Sequence, residues 1–268
     1  YDKPPLYYWL VATAFRFLGA NEFAARLPSA LLAVGGTLLV YAGGRKFFTL
    51  RAARLAALAL ATSLEYCYLG KAAVTDMALT FFLTGALLSL PAKRYDLAAV
   101  CAALAVITKG PIGLIFPVAI YGLYLAVTKS PVRPPLIPLV RSLLLFAVIA
   151  LPWYFFMYAV HGQDFITTFL GFHNITRFLQ PEHPNGRLWY YYLPVLLVGF
   201  FPWTALLFPA LRTAWRERTG PAAGTLWYLI IWIGVIFGFF TLSQTKLVSY
   251  ILPVFPPLAL LIGWYLDK

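Results

Sequence analysis

Apolar stretches recur along the chain at 28–48, 53–70, 76–91, 96–109, 111–128, 142–160, 189–211, 224–243 and 248–266, with short polar turns between them. Most approach the roughly 20 residues that cross a bilayer as a helix. Backbone N–H and C=O groups find no water in hydrocarbon, so each stretch must satisfy its own by coiling. The pattern predicts an all-α polytopic membrane bundle of about nine spans. A β-barrel needs period-two alternation along each strand, and the chain shows none. The 96–109 stretch is short, and Gly110-Pro111 predicts a helix break directly after it.

Two regions do not fit the spanning pattern. In 1–27, Phe15, Leu18, Phe23 and Leu27 alternate with Arg16, Asn21, Glu22 and Arg26. That mixture predicts short amphipathic helices lying in the membrane interface. Residues 161–188 form the one long connection and carry Asp164, His173, Asn174, Arg177, Glu182, His183 and Arg187. Connections of that length are usually functional or disordered. Phe165, Phe169, Phe172 and Phe178 argue for packing against the bundle or the membrane. No repeat or linker divides residues 1–268, so a single domain is expected.

Composition sharpens this reading. Hydrophobic residues make up 62% of the chain and charged residues 11%, against roughly 25% charged in a soluble domain. The net charge of +12 is not a nucleic-acid footprint, because its basic residues fall in clusters between spans. One set of turns holds thirteen of them, including Arg45, Lys46, Lys93, Arg94, Arg212 and Arg216, and the other set holds eight. The first set is therefore expected to be cytoplasmic. Six of the nine acidic residues fall on or near the outer side, as single charges close to aromatics. Topology does not require them, and ionisable residues at a membrane are functional candidates. Cys67 and Cys101 sit in apolar spans as small hydrophobes. Neither their spacing nor that of His161, His173 and His183 matches a standard metal site.

Five outer segments carry candidate chemistry, each with a plainer alternative. Asp2-Lys3-Pro4-Pro5 presents Lys3 on a backbone that proline stiffens. A fixed ammonium suits a phosphate oxygen, but an interfacial lysine can also simply snorkel toward headgroups. Glu65, Lys71 and Asp76 flank one outer turn, where a buried acid–base pairing competes with substrate positioning by Asp76. Lys109 sits at the helix break Thr108-Lys109-Gly110-Pro111, where glycine permits close approach. The Gly-x4-Gly-Lys-Ser/Thr order of a nucleotide loop is absent. His173 and Arg177 share a face if helical, and arginine can grip phosphate with two hydrogen bonds. Lys246 is followed by Tyr250 at another outer span end. Jointly, Lys3, Lys109, Arg177 and Lys246 suit an anionic ligand at the outer membrane edge.

Several of these segments together resemble the bacterial aminoarabinose transferase family, relatives of the dolichyl-phosphate-mannose protein mannosyltransferases. The resemblance runs through Asp2-Lys3-Pro4-Pro5-Leu6-Tyr7-Tyr8-Trp9, Asn21 to Ser29, Thr75-Asp76-Met77-Ala78-Leu79, Thr108-Lys109-Gly110-Pro111, Arg177 to His183, and Lys246-Leu247 to Leu252-Pro253. It implies an integral-membrane glycosyltransferase of the bacterial inner membrane, with its active face on the periplasmic side. The implied donor is a sugar on undecaprenyl or another polyprenyl phosphate. The implied acceptor is a lipid A phosphate, or in other members a protein or glycan. By matching position, Lys3 and Arg177 are the donor-phosphate ligands, joined by Lys109 and Tyr250. Asp76 resembles an important outer aspartate, and His173 and Lys246 are substrate-binding candidates. The resemblance implies no metal or other cofactor. The family's main catalytic carboxylate belongs to an Asp-Glu pair upstream of Lys-Pro-Pro, so the chain is expected to be a fragment lacking it.

Two other classes stand against this reading. A transporter or flippase places ionisable groups near the midplane in broken helices, often within repeats, whereas here they gather at outer span ends. A noncatalytic membrane assembly partner would leave the collinear charges unexplained.

Overall fold

The computed structural model describes residues 3–129, 135–180 and 188–268, with only the backbone described at 170, 173–175 and 177. Its regular structure is helical, with no strand among the described residues. Helix α1 (Leu6–Leu18) lies against α2 (Glu22–Phe47), where Tyr7 Oη and Ser29 Oγ are hydrogen-bonded at 2.8 Å. Asn21 caps α2 by accepting the Ala24 N–H at 2.9 Å, and Glu22 follows in the first turn. An acceptor and an acid both suit the N-terminal end of a helix dipole. The expected set of short interfacial helices over 1–27 is corrected accordingly. One short helix forms, and residues 22–27 belong to the first long one because Asn21 starts it there.

Helices α3 (Leu50–Thr62) and α4 (Leu64–Gly70) divide one apolar run at Ser63, whose backbone is extended. Then come α5 (Thr75–Ser89), α6 (Tyr95–Lys109) and α7 (Ile112–Val127). The predicted break between α6 and α7 is present, with Gly110 at φ 103. Helix α8 (Leu136–Phe165) kinks at Gly162, continues as a π-helical segment over Ile166–Thr176, and ends in the short turn α9 (Arg177–Leu179). The expected loop over 161–188 is thus helical as far as residue 179. Its aromatics are the reason. Phe165 and Phe169 stack at 5.3 Å, and both pack edge-on against Trp153 of α8. Glu182, His183 and Arg187 lie outside the described residues.

Helices α10 (Tyr192–Gly199) and α11 (Thr204–Arg216) meet at 109°. Helix α12 (Ala223–Leu242), a 3-10 turn over Val248–Val254, and α13 (Phe255–Leu266) complete the chain. Among the described residues, four helical runs are long and apolar enough to cross a membrane, or up to six if each bent pair counts as one span. Two of the helix breaks support each other. The Leu64 N–H donates to Phe201 O at 3.0 Å, and Trp203 Nε1 donates to Thr62 Oγ1 at 2.8 Å. Backbone interrupted inside a membrane needs such partners from a neighbour.

Helix α13 is the core, buried from Phe255 to Trp264. It packs on the small-residue face of α3, formed by Ala52, Ala53, Ala56 and Ala59. Lipid tails are as apolar as leucine, so helices associate where small residues allow close approach. Gly263 shows how close, since a Cβ there would lie 2.3 Å from Ala52 O and 2.7 Å from Ala56 N. Gly263→Ala is expected to lower the thermal midpoint of the detergent-purified protein by the equivalent of about 1–3 kcal/mol, the usual range for overpacking. Gly122→Ala is the control, because its Cβ would meet nothing within 4 Å. Equal midpoints for the two variants would show that α3 and α13 are not in close contact.

Candidate functional site

The site is built where the α5–α6 hairpin opens, at the end of the bundle away from the basic turns. Asp76 stands in the first turn of α5, and Lys109 is the last residue of α6. An acid at a helix start and a base at a helix end each suit the local dipole. The two side chains form an ion pair, with only 10% and 11% of their surfaces exposed. Lys109 Nζ also lies 4.0 Å from the ring centroid of Tyr250, on the 3-10 turn before α13. A cation held over an aromatic face gains further where water is excluded. Immediately after Lys109, Gly110 turns the chain, and Gly113 brings α7 onto α6, since a Cβ there would lie 2.4 Å from Val106 N.

The second part of the site is the 243–250 segment. Lys246 is 4% exposed and donates to Ser243 O. Burial pushes its ammonium below the ordinary lysine value of 10.5, since desolvation disfavours the charged form. Tyr192 Oη donates to Leu247 O at 3.2 Å, so α10 holds this segment as well. The Gln244 N–H donates to Phe178 O at 2.9 Å, and Thr245 Oγ1 donates to Gln180 O at 3.1 Å. These bonds clip the segment to the turn whose first residue is Arg177. The side chains of Arg177 and His173 lie outside the description.

Lys3 is exposed, and Pro4 next to it is buried. Three residues later, Leu6 packs against Ala103, Val106, Ile107 and Ala150. That contact puts the Lys3 end of α1 beside the final turns of α6, which carry Lys109. The structure therefore gathers Asp76, Lys109, Tyr250 and the Lys246 segment, with the start of α1 packed beside the last turns of α6. Lys71 is exposed.

The structure separates Glu65 from the pairing considered for it. Glu65 is 5% exposed, and neither carboxyl oxygen has a hydrogen-bond partner among the described residues. It lines an apolar groove of about 560 Å³ together with Tyr68, Tyr190, Tyr191 and Gly199. A Cβ on Gly199 would lie 2.3 Å from Glu65 Oε2, so the glycine makes room for the carboxyl group. The sequence offered Glu65 or Asp76 as the acid of a buried pair with a basic residue. It is Asp76 that has the lysine. No group of three potential metal ligands occurs among the described residues.

Comparison with known proteins gives this arrangement a family. Residues 2–155, more than half of the chain, match the family model described as dolichyl-phosphate-mannose-protein mannosyltransferase. The chain belongs to that family. It is 34% identical over its whole length to an uncharacterized protein of Aquifex aeolicus, covering 61% of that protein. It is 32% identical over its whole length to the undecaprenyl phosphate-alpha-4-amino-4-deoxy-L-arabinose arabinosyl transferase of Pectobacterium carotovorum, covering 50% of that enzyme. The crystal structure of ArnT from Cupriavidus metallidurans bound to undecaprenyl phosphate matches the whole chain with a TM-score of 0.87 at 26% identity, over 50% of its own length. The chain thus spans about half to three-fifths of the length of these relatives. With its apolar helices, this kinship makes it a multi-pass protein of the bacterial inner membrane.

The ion pair is open to a stability test. Removing one partner of a buried pair leaves an uncompensated charge and costs about 3–5 kcal/mol. Lys109→Met is therefore expected to lower the unfolding midpoint sharply, and adding Asp76→Asn to recover most of the loss. A double variant no more stable than Lys109→Met alone would refute the pairing.

Proposed function

We propose that this chain forms the membrane core of a glycosyltransferase that moves a sugar from a polyprenyl-phosphate donor to an acceptor at the periplasmic face. The acceptor we infer is a lipid A phosphate, and the sugar is of the 4-amino-4-deoxy-L-arabinose type. The observation that carries this reading is the buried Asp76–Lys109 pair under Tyr250, next to the start of α1. Further support comes from a solved relative that matches the whole chain and was crystallised with undecaprenyl phosphate.

In this reaction an acceptor phosphate oxygen attacks the anomeric carbon. The bond from that carbon to the donor phosphate breaks, and its electron pair leaves with the polyprenyl phosphate. Negative charge grows on the leaving phosphate, and cations fixed beforehand in a low-dielectric site stabilise it. Lys3 and Arg177 are assigned to that phosphate, with Lys109, Tyr250 and Lys246 around it and His173 toward the substrate. An acceptor phosphate is already ionised and needs little help from a base, whereas a hydroxyl acceptor needs a general base. Asp76, held by Lys109, is assigned to orient groups at the reacting centre. A second reading, transfer to protein or glycan, is favoured by the family model, whose own description names a protein acceptor.

The deciding experiment supplies the purified protein with radiolabelled undecaprenyl-phosphate sugars and lipid A, and then with membrane proteins. Label in lipid A supports the first acceptor, and label in protein supports the second. No transfer to either, with intact donor, would overturn the enzyme reading. Lys3→Ala and Arg177→Ala are expected to abolish donor use while membrane insertion stays normal, and wild-type turnover in both would refute the phosphate assignment. The pH dependence also has a definite sign. Burial lowers the Lys246 pKa, so raising the pH discharges this lysine earlier than an ordinary one. Binding of undecaprenyl phosphate should therefore weaken on the alkaline side at a lower pH than an ordinary lysine would give. In Lys246→Arg the weakening should shift to higher pH, because arginine keeps its proton.

A further inference from the structure

The opposite end of the α5–α6 hairpin carries a cavity that the proposed reaction does not use. Helices of fifteen residues separate it from the Asp76–Lys109 pair, about 20 Å at 1.5 Å per residue. The cavity measures about 610 Å³ and is lined by Lys93, Arg94, Tyr95, Asp96, Pro138 and Arg141. Arg141 forms a forked pair with Asp96, whose Oδ1 also accepts from Ser142 Oγ at 2.9 Å. That knot ties α6 to α8 and cancels the one acidic charge in the wall. Lys93 and Arg94 remain, both exposed and neither in an ion pair among the described residues. Lys93 holds φ 58, a left-handed backbone that ordinarily falls to glycine.

An apolar groove adjoins the cavity. Tyr95 lines both, and the groove of about 320 Å³ lies between α6, α7 and α8 along Ala98, Ala102, Gly122, Ser142 and Phe146. A basic cavity beside an apolar groove between helices matches a molecule with an anionic head and a hydrocarbon tail. We propose that this end of the bundle is a binding site for an anionic glycerophospholipid. Its phosphate lies between Lys93 and Arg94, and one acyl chain lies in the α6–α7–α8 groove. Charge complementarity selects an anionic lipid over a zwitterionic one, as basic pockets between helices at a membrane surface do. The groove selects a lipid over a free anion, which would fill only the cavity.

The test measures lipid binding to the purified protein by native mass spectrometry, with phosphatidylglycerol, phosphatidylcholine and inorganic phosphate as probes. Phosphatidylglycerol should bind roughly 30-fold more tightly than phosphatidylcholine, the product of two surface cations worth about 1 kcal/mol each. Lys93→Gln with Arg94→Gln should abolish that preference. Gly122→Leu fills the groove from a position where an added Cβ meets nothing, and it should weaken both lipids alike. Unchanged thermal midpoints in these variants show that the fold is intact. Equal affinity for the two lipids would overturn the proposal, as would an unchanged preference in the double variant. Millimolar inorganic phosphate that displaces phosphatidylglycerol would mark the cavity as a simple anion site and overturn it too.

Discussion

Two opposite charges share a nearly dry position where α5 begins and α6 ends, in a chain only 11% of whose residues are charged. A lone Asp76 or a lone Lys109 at that depth would carry a large desolvation cost. Together they offset it, provided their helices hold them in register. The pair therefore constrains the relative sliding of α5 and α6. It also fixes where Gly110 must turn the chain and where Tyr250 can cover the ammonium group. The wall of the candidate site is thus an electrostatic solution to a burial problem.

The rest of the bundle answers the same constraint by other means. Where helices are continuous, the backbone satisfies itself. Where α3 and α10 end, the two breaks lie side by side and exchange hydrogen bonds through Leu64, Phe201, Thr62 and Trp203. Tyrosines do similar work between helices, Tyr66 Oη donating to Ala33 O at 2.8 Å and Tyr228 Oη to Leu87 O at 2.6 Å. Glu65 and Gly199 flank these paired breaks, so the unpartnered carboxyl group stands at an interruption that the fold has already made.

Much of this was legible from the chain. Bilayer thickness and backbone satisfaction tie apolar run length to helix, and the runs at 96–109, 111–128 and 224–243 fall within a residue or so of α6, α7 and α12. Gly110-Pro111 marked a real break because both residues act locally on φ and on the N–H supply. The reading failed where polar residues sit on helices. Asp164, His173 and Asn174 made 161–188 look like a loop, but as far as residue 179 it is helical, with Phe165 stacked on Phe169 against Trp153. A local pattern does not register a contact made with an aromatic more than ten residues earlier.

The sequence by itself determined the solvent: an apolar, sparsely charged chain belongs in lipid, and in lipid it must be helical. It also placed the singular charges near span ends, because a charge in mid-span would block insertion. Only the tertiary structure decided which charges meet. Lys109 is 33 residues from Asp76 and 141 residues from Tyr250, and run length and periodicity carry no information about partners that far apart. Pairing depends on helix packing, and that packing rests on small-residue faces such as the one between α3 and α13. There, a single methyl group on Gly263 would force the helices apart.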